Sequence, residues 1–349
     1  MRDSSPEALK KNIQDQGLCV HCGACTELCP YFKSYRGKIT QIFHCSLDHG
    51  RCHAQCPKGS IDQDRLSRFF HGTPQDENPL GPYRSILLSR AGETMKGGVY
   101  QNGGTVSSLM SLALLSGRIE TAILTGINGM VPEYRLINTL EGIQGCSTSK
   151  YLASPTLGGL NKAMNQGLKK IGIVGTPCQM IGAALTRMNP MQIKEFNDPV
   201  ALSIGLFCTW ALDGGEVLSF LSTRMDLREI QRMDIPPPPA NRLIIEKASG
   251  RMEIPLDEIR PFILEGCGTC KDMTSELSDI SVGAFENDPE WNTLIIRTEQ
   301  GASLVEEAQK KGYITIQPMP DEALKHLTAA AALKKKRSTS SGSEVPCPK

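Results

Sequence analysis

The chain has 349 residues, with 38 Lys plus Arg against 37 Asp plus Glu, a formal net charge of +1. That balance, with only 5% aromatic residues, argues against a nucleic-acid or membrane-surface partner and against a platform for stacking bases. No apolar run reaches the roughly 18 residues of a membrane-spanning helix. The polar start MRDSSPEALKKNIQDQ lacks the apolar stretch of a signal peptide, so the expected location is cytoplasmic, or peripheral to a larger complex.

In chain order, residues 1–16 predict a short polar helix with Ser5 as N-cap and Pro6 at the first helical position. Seven cysteines crowd between 19 and 56, defining an N-terminal domain over 1–75. HGTPQDENPLGPY (71–83) reads as a linker. The pattern then changes. YRSILLSRA predicts a strand, GGTVSSLMSLALLSGRI a glycine turn entering an apolar helix, and ETAILTG a second strand. TLGGLNKAMNQGLKK predicts a helix, and IGIVG (171–175) and PVALSIGLFC (199–208) two buried strands. Strands alternating with helices predict an α/β core over 76–325. RLIIEKASGRMEIPL (242–256) predicts a hairpin turning at Ser249-Gly250. PPPP (236–239) reads as a stiff connector, and the end, 326–349, as a low-complexity disordered tail.

Thirteen cysteines dominate the chemistry. In a reducing compartment a dense cluster of thiols is a set of metal ligands rather than disulfides. CVHCGACTELCP (19–30) is C-x2-C-x2-C-x3-C-P, the bacterial ferredoxin run, and Gly23 supplies its tight turn. The competing reading is a zinc knuckle. CSLDHGRCHAQCP (45–57) ends in the same C-x3-C-P, but His49 stands where a ligand is due. In a two-cluster ferredoxin domain the last cysteine of each run serves the other cluster. Cys19, Cys22, Cys25 and Cys56 are then the first set, and Cys29, Cys45 and Cys52 the second, one thiolate short. Three solutions stand open: His49 as imidazole ligand, Asp48 as carboxylate ligand, or a three-iron cluster. The bland alternative is that the second set holds no cluster. His44 and His53 read as solvated loop residues.

Four more cysteines sit in telling places. Cys178 follows the strand in GIVGTPCQM, Cys208 ends another in SIGLFCTW, and Cys267 and Cys270 form a C-x2-C in EGCGTC. Ligands collect at the ends of α/β strands. Four thiolates there suit a 4Fe–4S cluster or zinc equally, and inert buried cysteines are a third reading.

The segments GGTVSSLMSLALLSGRIETAILTG, STSKYLAS, GIVGTPCQM, IGLFCTW and EGCGTCKDMTSELSDISVGAFENDPEWNTLIIRTEQG, in this order, resemble the coenzyme F420-reducing hydrogenase/dehydrogenase beta-subunit family over about 84–320. The ferredoxin-type domain ahead of them makes the layout similar to the electron-input subunit of the F420H2 dehydrogenase. The resemblance implies a mixed-sheet, flavin-binding fold carrying FAD and 4Fe–4S clusters, with FAD rather than a side chain performing hydride transfer. It implies that Gly103, Gly104 and Thr105, then Ser149, Lys150 and Tyr151, then Gly175, Thr176, Pro177 and Gln179 line the FAD. It implies that Cys178, Cys208, Cys267 and Cys270 hold the core cluster. A Gly-Gly entering a helix fits a pyrophosphate, and Lys150 could neutralise a phosphate. The implied partners are coenzyme F420 and a hydrogenase, formate dehydrogenase or heterodisulfide-reductase-type subunit. Two departures from the family pattern stand out: the second cysteine run, and Ala284-Phe285 where many members carry acidic residues. Two rival readings remain. One is the same fold working with NAD(P)H, ferredoxin or an organic substrate; the other is a flavin-free electron relay.

Overall fold

A computed structural model describes residues 4–75 and 77–340. The N-terminal segment contains α1 (Pro6–Leu9), continued by a wider turn over Lys10–Gln14, a hairpin of β1 (Phe32–Tyr35) and β2 (Lys38–Gln41), then α2 (Arg51–Ala54) and α3 (Gln63–His71). Ser5 caps α1 as its sequence predicts, its Oγ accepting from Ala8 N at 3.0 Å. The core follows with β3 (Ser85–Ala91), α4 (Thr105–Leu115), β4 (Thr121–Asn128), β5 (Val131–Ile137), α5 (Leu140–Gln144), α6 (Thr156–Asn165), β6 (Ile171–Gly175), α7 (Pro177–Arg187), β7 (Val200–Leu206) and α8 (Gly214–Ser222). Next come β8 (Ile230–Asp234), β9 (Arg242–Lys247), β10 (Gly250–Pro255) and α9 (Leu256–Ile259). The chain ends with β11 (Ile280–Ala284), β12 (Asn292–Ile296), α10 (Glu299–Lys310), β13 (Ile314–Pro318) and α11 (Asp321–Ser340).

Eight strands form one mixed sheet in the order β13-β3-β12-β11-β7-β6-β4-β5. Its centre, β11-β7-β6-β4, is parallel, and antiparallel strands flank it on both sides. All five residues of β6 are buried, as expected of a strand covered on both faces. Neighbouring residues divide between two cores because a strand alternates its side chains. Val174 packs with Leu109 and Leu112 of α4 and Leu304 of α10 on one face. Ile173 packs with Leu157 and Leu160 of α6 and Met180 of α7 on the other. The antiparallel sheet β10-β9-β8 covers a third core with α8 and α9.

Three sequence expectations change. The hairpin pairs Lys247 with Gly250, so its turn is centred on Ala248-Ser249, one residue earlier than expected. The 71–83 stretch is no free linker: Leu80 O and Pro82 O accept from the buried Arg297 Nη1 at 3.0 and 2.7 Å. The supposedly disordered tail is helical as far as Ser340, in α11. The reason is composition, since EALKHLTAAAALKKKR is almost wholly made of strong helix formers. The rest of that tail, 341–349 with Cys347, falls outside the described residues.

Candidate functional site

The first cysteine run is folded between the N-terminal segment and the core. Gly23 has φ +91°, and a Cβ there would lie 2.3 Å from Pro155 O, so only glycine allows this approach to the start of α6. Cys22 O accepts from Leu157 N at 2.9 Å, and Asn161 Nδ2 donates to Ala24 O and Thr26 O. Cys19, Cys22, Cys25, Cys52 and Cys56 share an apolar cavity with Leu9, Ile13, Val20 and Ile39. Burial pushes the Cys56 thiol up to about 12 and holds Cys22 and Cys25 well above the usual range. Neighbouring thiols add to this: Cys56 and Cys25 act on Cys22, and Cys19 and Cys56 on Cys25.

The second set also converges. Cys29 and Cys45 act on Cys52, whose thiol is pushed up to about 11, chiefly by burial. Cys45 and Cys52 are buried and Cys29 is half-buried. His49 is exposed, with Nδ1 2.6 Å from Ser4 Oγ. Asp48 is exposed as well, and His44 pairs with Glu7 at 3.3 Å on the surface.

The core set collects at the ends of two neighbouring parallel strands. Cys178 opens α7 just after β6, and Cys208 follows β7. Cys267 lies in the tight turn Glu265–Thr269, with Cys270 next to it. The turn is tied to the strand end: Ala211 N donates to Cys267 Sγ at 3.3 Å, and Cys208 N donates to Met273 O at 2.9 Å. Burial pushes Cys178 up to about 11 and Cys208 higher still, with Cys267 and Cys270 contributing to both.

These thiols fit a multi-iron cluster. An all-sulfur donor set suits iron–sulfur or zinc. Burial raises the pKa of most of these thiols, so bound metal would have to draw their protons off. Among the described residues no three Cys, His, Asp or Glu side chains close on a single ion.

The residues expected at a flavin divide in two. Gly103, Gly104, Gly175 and Gln179 have packing tasks. A Cβ on Gly103 would lie 2.9 Å from Asn292 Oδ1, one on Gly175 2.8 Å from Gln179 Oε1, and Gly104 has φ +79° as N-cap of α4. Thr105 N donates to Asn292 Oδ1 at 3.2 Å, while the amides of Val106 and Ser107 have no acceptor among the described residues. Thr176 and Gln179 form a capping box on α7 with Pro177 at its first position, and Gln179 Nε2 donates to Ser154 O and Thr156 Oγ1. Ser149, Lys150 and Tyr151 form a second group. Lys150 Nζ donates to Cys146 O at 2.8 Å and to Thr148 O, and has no carboxylate partner among the described residues. Burial pulls its pKa down to about 8. Tyr151 OH donates to Asp234 Oδ1 at 2.9 Å.

Sequence reading missed three residues here. Gln101 receives Ser149 N on Oε1 at 2.7 Å and donates through Nε2 to Asp234 Oδ1 at 2.7 Å. Arg232 reaches Gln101 O at 3.4 Å and keeps a buried Nε with no acceptor. Arg232, beside Gln101, and Lys150, next to the Ser149 that Gln101 holds, are two cations with no carboxylate partner among the described residues, a character that suits an anionic group such as a pyrophosphate. Lys58 is the third: its Nζ donates to Thr269 Oγ1 at 2.9 Å, and its charge acts on Cys56, Cys178 and Cys267. None of the three carries a local sequence signal, because their partners lie far along the chain.

Two family models match the sequence, both of the beta subunit of coenzyme F420 hydrogenase/dehydrogenase: its N-terminal part over 90–161 and its C-terminal part over 168–322. The chain belongs to this family. This beta-type chain is 25% identical to one subunit of the F420H2 dehydrogenase of Methanosarcina mazei over 323 residues, 90% of this chain and 89% of that one. It is 28% identical to the beta subunit of the coenzyme F420 hydrogenase of Methanothermobacter thermautotrophicus over 247 residues, 69% of this chain and 87% of that one. The coenzyme F420-dependent sulfite reductase of Methanocaldococcus jannaschii is 28% identical over 321 residues; the match takes in 87% of this chain but only 48% of that protein, so the chain spans about half its length. A chain in the structure of the F420-reducing NiFe hydrogenase complex from Methanosarcina barkeri shares the fold with a TM-score of 0.70 at 25% identity, over 76% of this chain and 93% of that one.

Proposed function

We propose that this beta-type subunit holds one FAD and three iron–sulfur clusters, exchanges a hydride with coenzyme F420, and relays single electrons to a partner oxidoreductase subunit. One observation carries the reading: the three thiol sets form an unbroken row. Cys178 and Cys267 of the core set pack against the cluster that contains Cys22 of the first set, and Cys52 of the second set lines the same cavity as Cys22 and Cys25. Three separate metal sites would need no such order. A relay needs each site beside the next.

Bound FAD supplies the conversion between two-electron and one-electron chemistry. The chain's own residues do the rest. Lys150 and Arg232 neutralise the pyrophosphate, and Gln101 holds the loop of Ser149 against β8. Val106 and Ser107 offer amides at the positive end of α4. Gln179 anchors α7 so that Cys178 faces Cys267 and Cys270. The apolar walls around Cys22 and Cys25 keep water from the first set. The second set brings three thiols, and because His49 and Asp48 both lie exposed the reading favours a three-iron cluster. Phe43 and Leu47 are exposed on the loop around Cys45, where a partner subunit would dock to take electrons from that set.

The test is a spectrum of anaerobically purified protein. Flavin absorbance that bleaches with reduced F420 is the expected result. Bleaching with NADH alone would move the reading to another carrier on the same fold. Absence of flavin would leave only a relay.

A further inference from the structure

The last helix brings a lysine to the core cysteines. All but the first two residues of α11 lie beyond the family-matched region, which ends at 322. α11 packs on the turn that carries Cys267, with Ala331 and Lys334 on its buried side, Lys334 only 4% exposed. Lys334 Nζ donates to Cys208 O at 2.5 Å. The neighbouring Lys335 points elsewhere, pairing with Glu276 at 2.9 Å and donating to Asn78 O.

A buried ammonium without a counter-charge is expensive. Lys334 has no carboxylate within ion-pair distance among the described residues. Asp272 is near, but its oxygens already accept from Thr274 N and Glu276 N. Lys334 lies over Cys208 and the Cys267 turn, so the core cysteines, anionic once they hold a cluster, are the counter-charge this cation faces. Cluster potentials respond to net charge, hydrogen bonding and exclusion of solvent, and α11 supplies a charge and a cover.

We propose that Lys334 is a positioning residue of this chain that raises the reduction potential of the core cluster: its fixed positive charge stabilises the added electron, and α11 shields the site from water. The inference rests on the core cysteines holding a cluster. It gives that cluster a potential above the value its four thiolates alone would set, so that electrons arriving from the flavin are drawn into the row.

The experiment is an EPR-monitored redox titration of the anaerobic full chain. The core signal is identified as the one lost in Cys208→Ser. In Lys334→Gln, which keeps a donor to Cys208 O but loses the charge, and in Lys334→Met, the core midpoint should move negative by at least a tenfold change in the one-electron equilibrium, about 59 mV. The other midpoints should stay, Lys334→Arg should keep most of the wild-type value, and Lys335→Met, which breaks the Glu276 pair on the same helix, should leave the core midpoint alone. Unchanged midpoints in both charge-removing variants would overturn the proposal. So would an equal shift in Lys335→Met, or loss of core iron from Lys334→Gln and Lys334→Met alike, which would make Lys334 an assembly element. Wild-type protein without a core signal would instead defeat the reading of the site itself.

Discussion

The two N-terminal cysteine sets come from runs that share a C-x3-C-P ending and lie in different environments. The first has four thiols in an apolar cavity, clamped by Gly23 against α6 and linked through Cys22 to the core set. The second has three thiols, Cys29, the buried Cys45 and Cys52 of α2, with His49 exposed on the loop between Cys45 and Cys52. A bridging site must be enclosed and complete, because both neighbours depend on it. A terminal site touches one neighbour and solvent, and tolerates a missing thiolate. On the proposed relay, the difference between the sets is one of place in the row.

The strongest break in that comparison is Cys22→Ser. It should remove about four irons per chain and stop reduction of the second set from the flavin side; persistent reduction of the second set would mean that the row is not the route. Gly23→Ala should follow. Positive φ and the collision with Pro155 O together cost about 3 kcal/mol or more in denaturant unfolding. Gly72→Ala, with φ +76° but nothing within 4 Å, should cost only about 1 kcal/mol. Equal losses would show that Gly23 does not clamp the first set. Gln179→Ala, which removes the capping box and two buried hydrogen bonds, should cost about 1–2 kcal/mol.

Lys150 gives a pH test. Its folded value, about 8, lies below the ordinary 10.5. Between those values the unfolded chain binds more protons, so this group makes the flavin-free fold gain stability as pH rises through that window. Thermal melts should show the gain, Lys150→Met should lack it, and added FAD should abolish it by restoring the proton. A Lys150→Met profile identical to wild type would remove Lys150 from the site. The smallest effect is expected for His49→Ala, which should leave both the iron count and the EPR of the second set unchanged. A lost signal would restore His49 as a ligand.

Much of this was legible in the sequence where chemistry is local. The C-x2-C-x2-C-x3-C-P spacing names the first set, and IGIVG followed by Thr-Pro-Cys places Cys178 at a strand end. Gly103 and Gly175 read as ligand-facing, and both also sit tightly against neighbours, Asn292 and Gln179, since a glycine needed for close approach looks the same in sequence whether the neighbour is a cofactor or a side chain. Gln101, Arg232 and Lys58 were invisible because each meets partners over a hundred positions away, as Lys58 does at Thr269. The α11 region was misread because its serine-rich end outweighed an alanine- and leucine-rich helix in the same stretch.

The most direct test is iron and flavin quantitation on anaerobically purified protein, with EPR of the oxidised sample. One FAD and about eleven irons per chain, two four-iron sites plus one three-iron site, with a three-iron signal, is the expected result. No flavin, or about eight irons or fewer, would contradict a flavin feeding three clusters in a row.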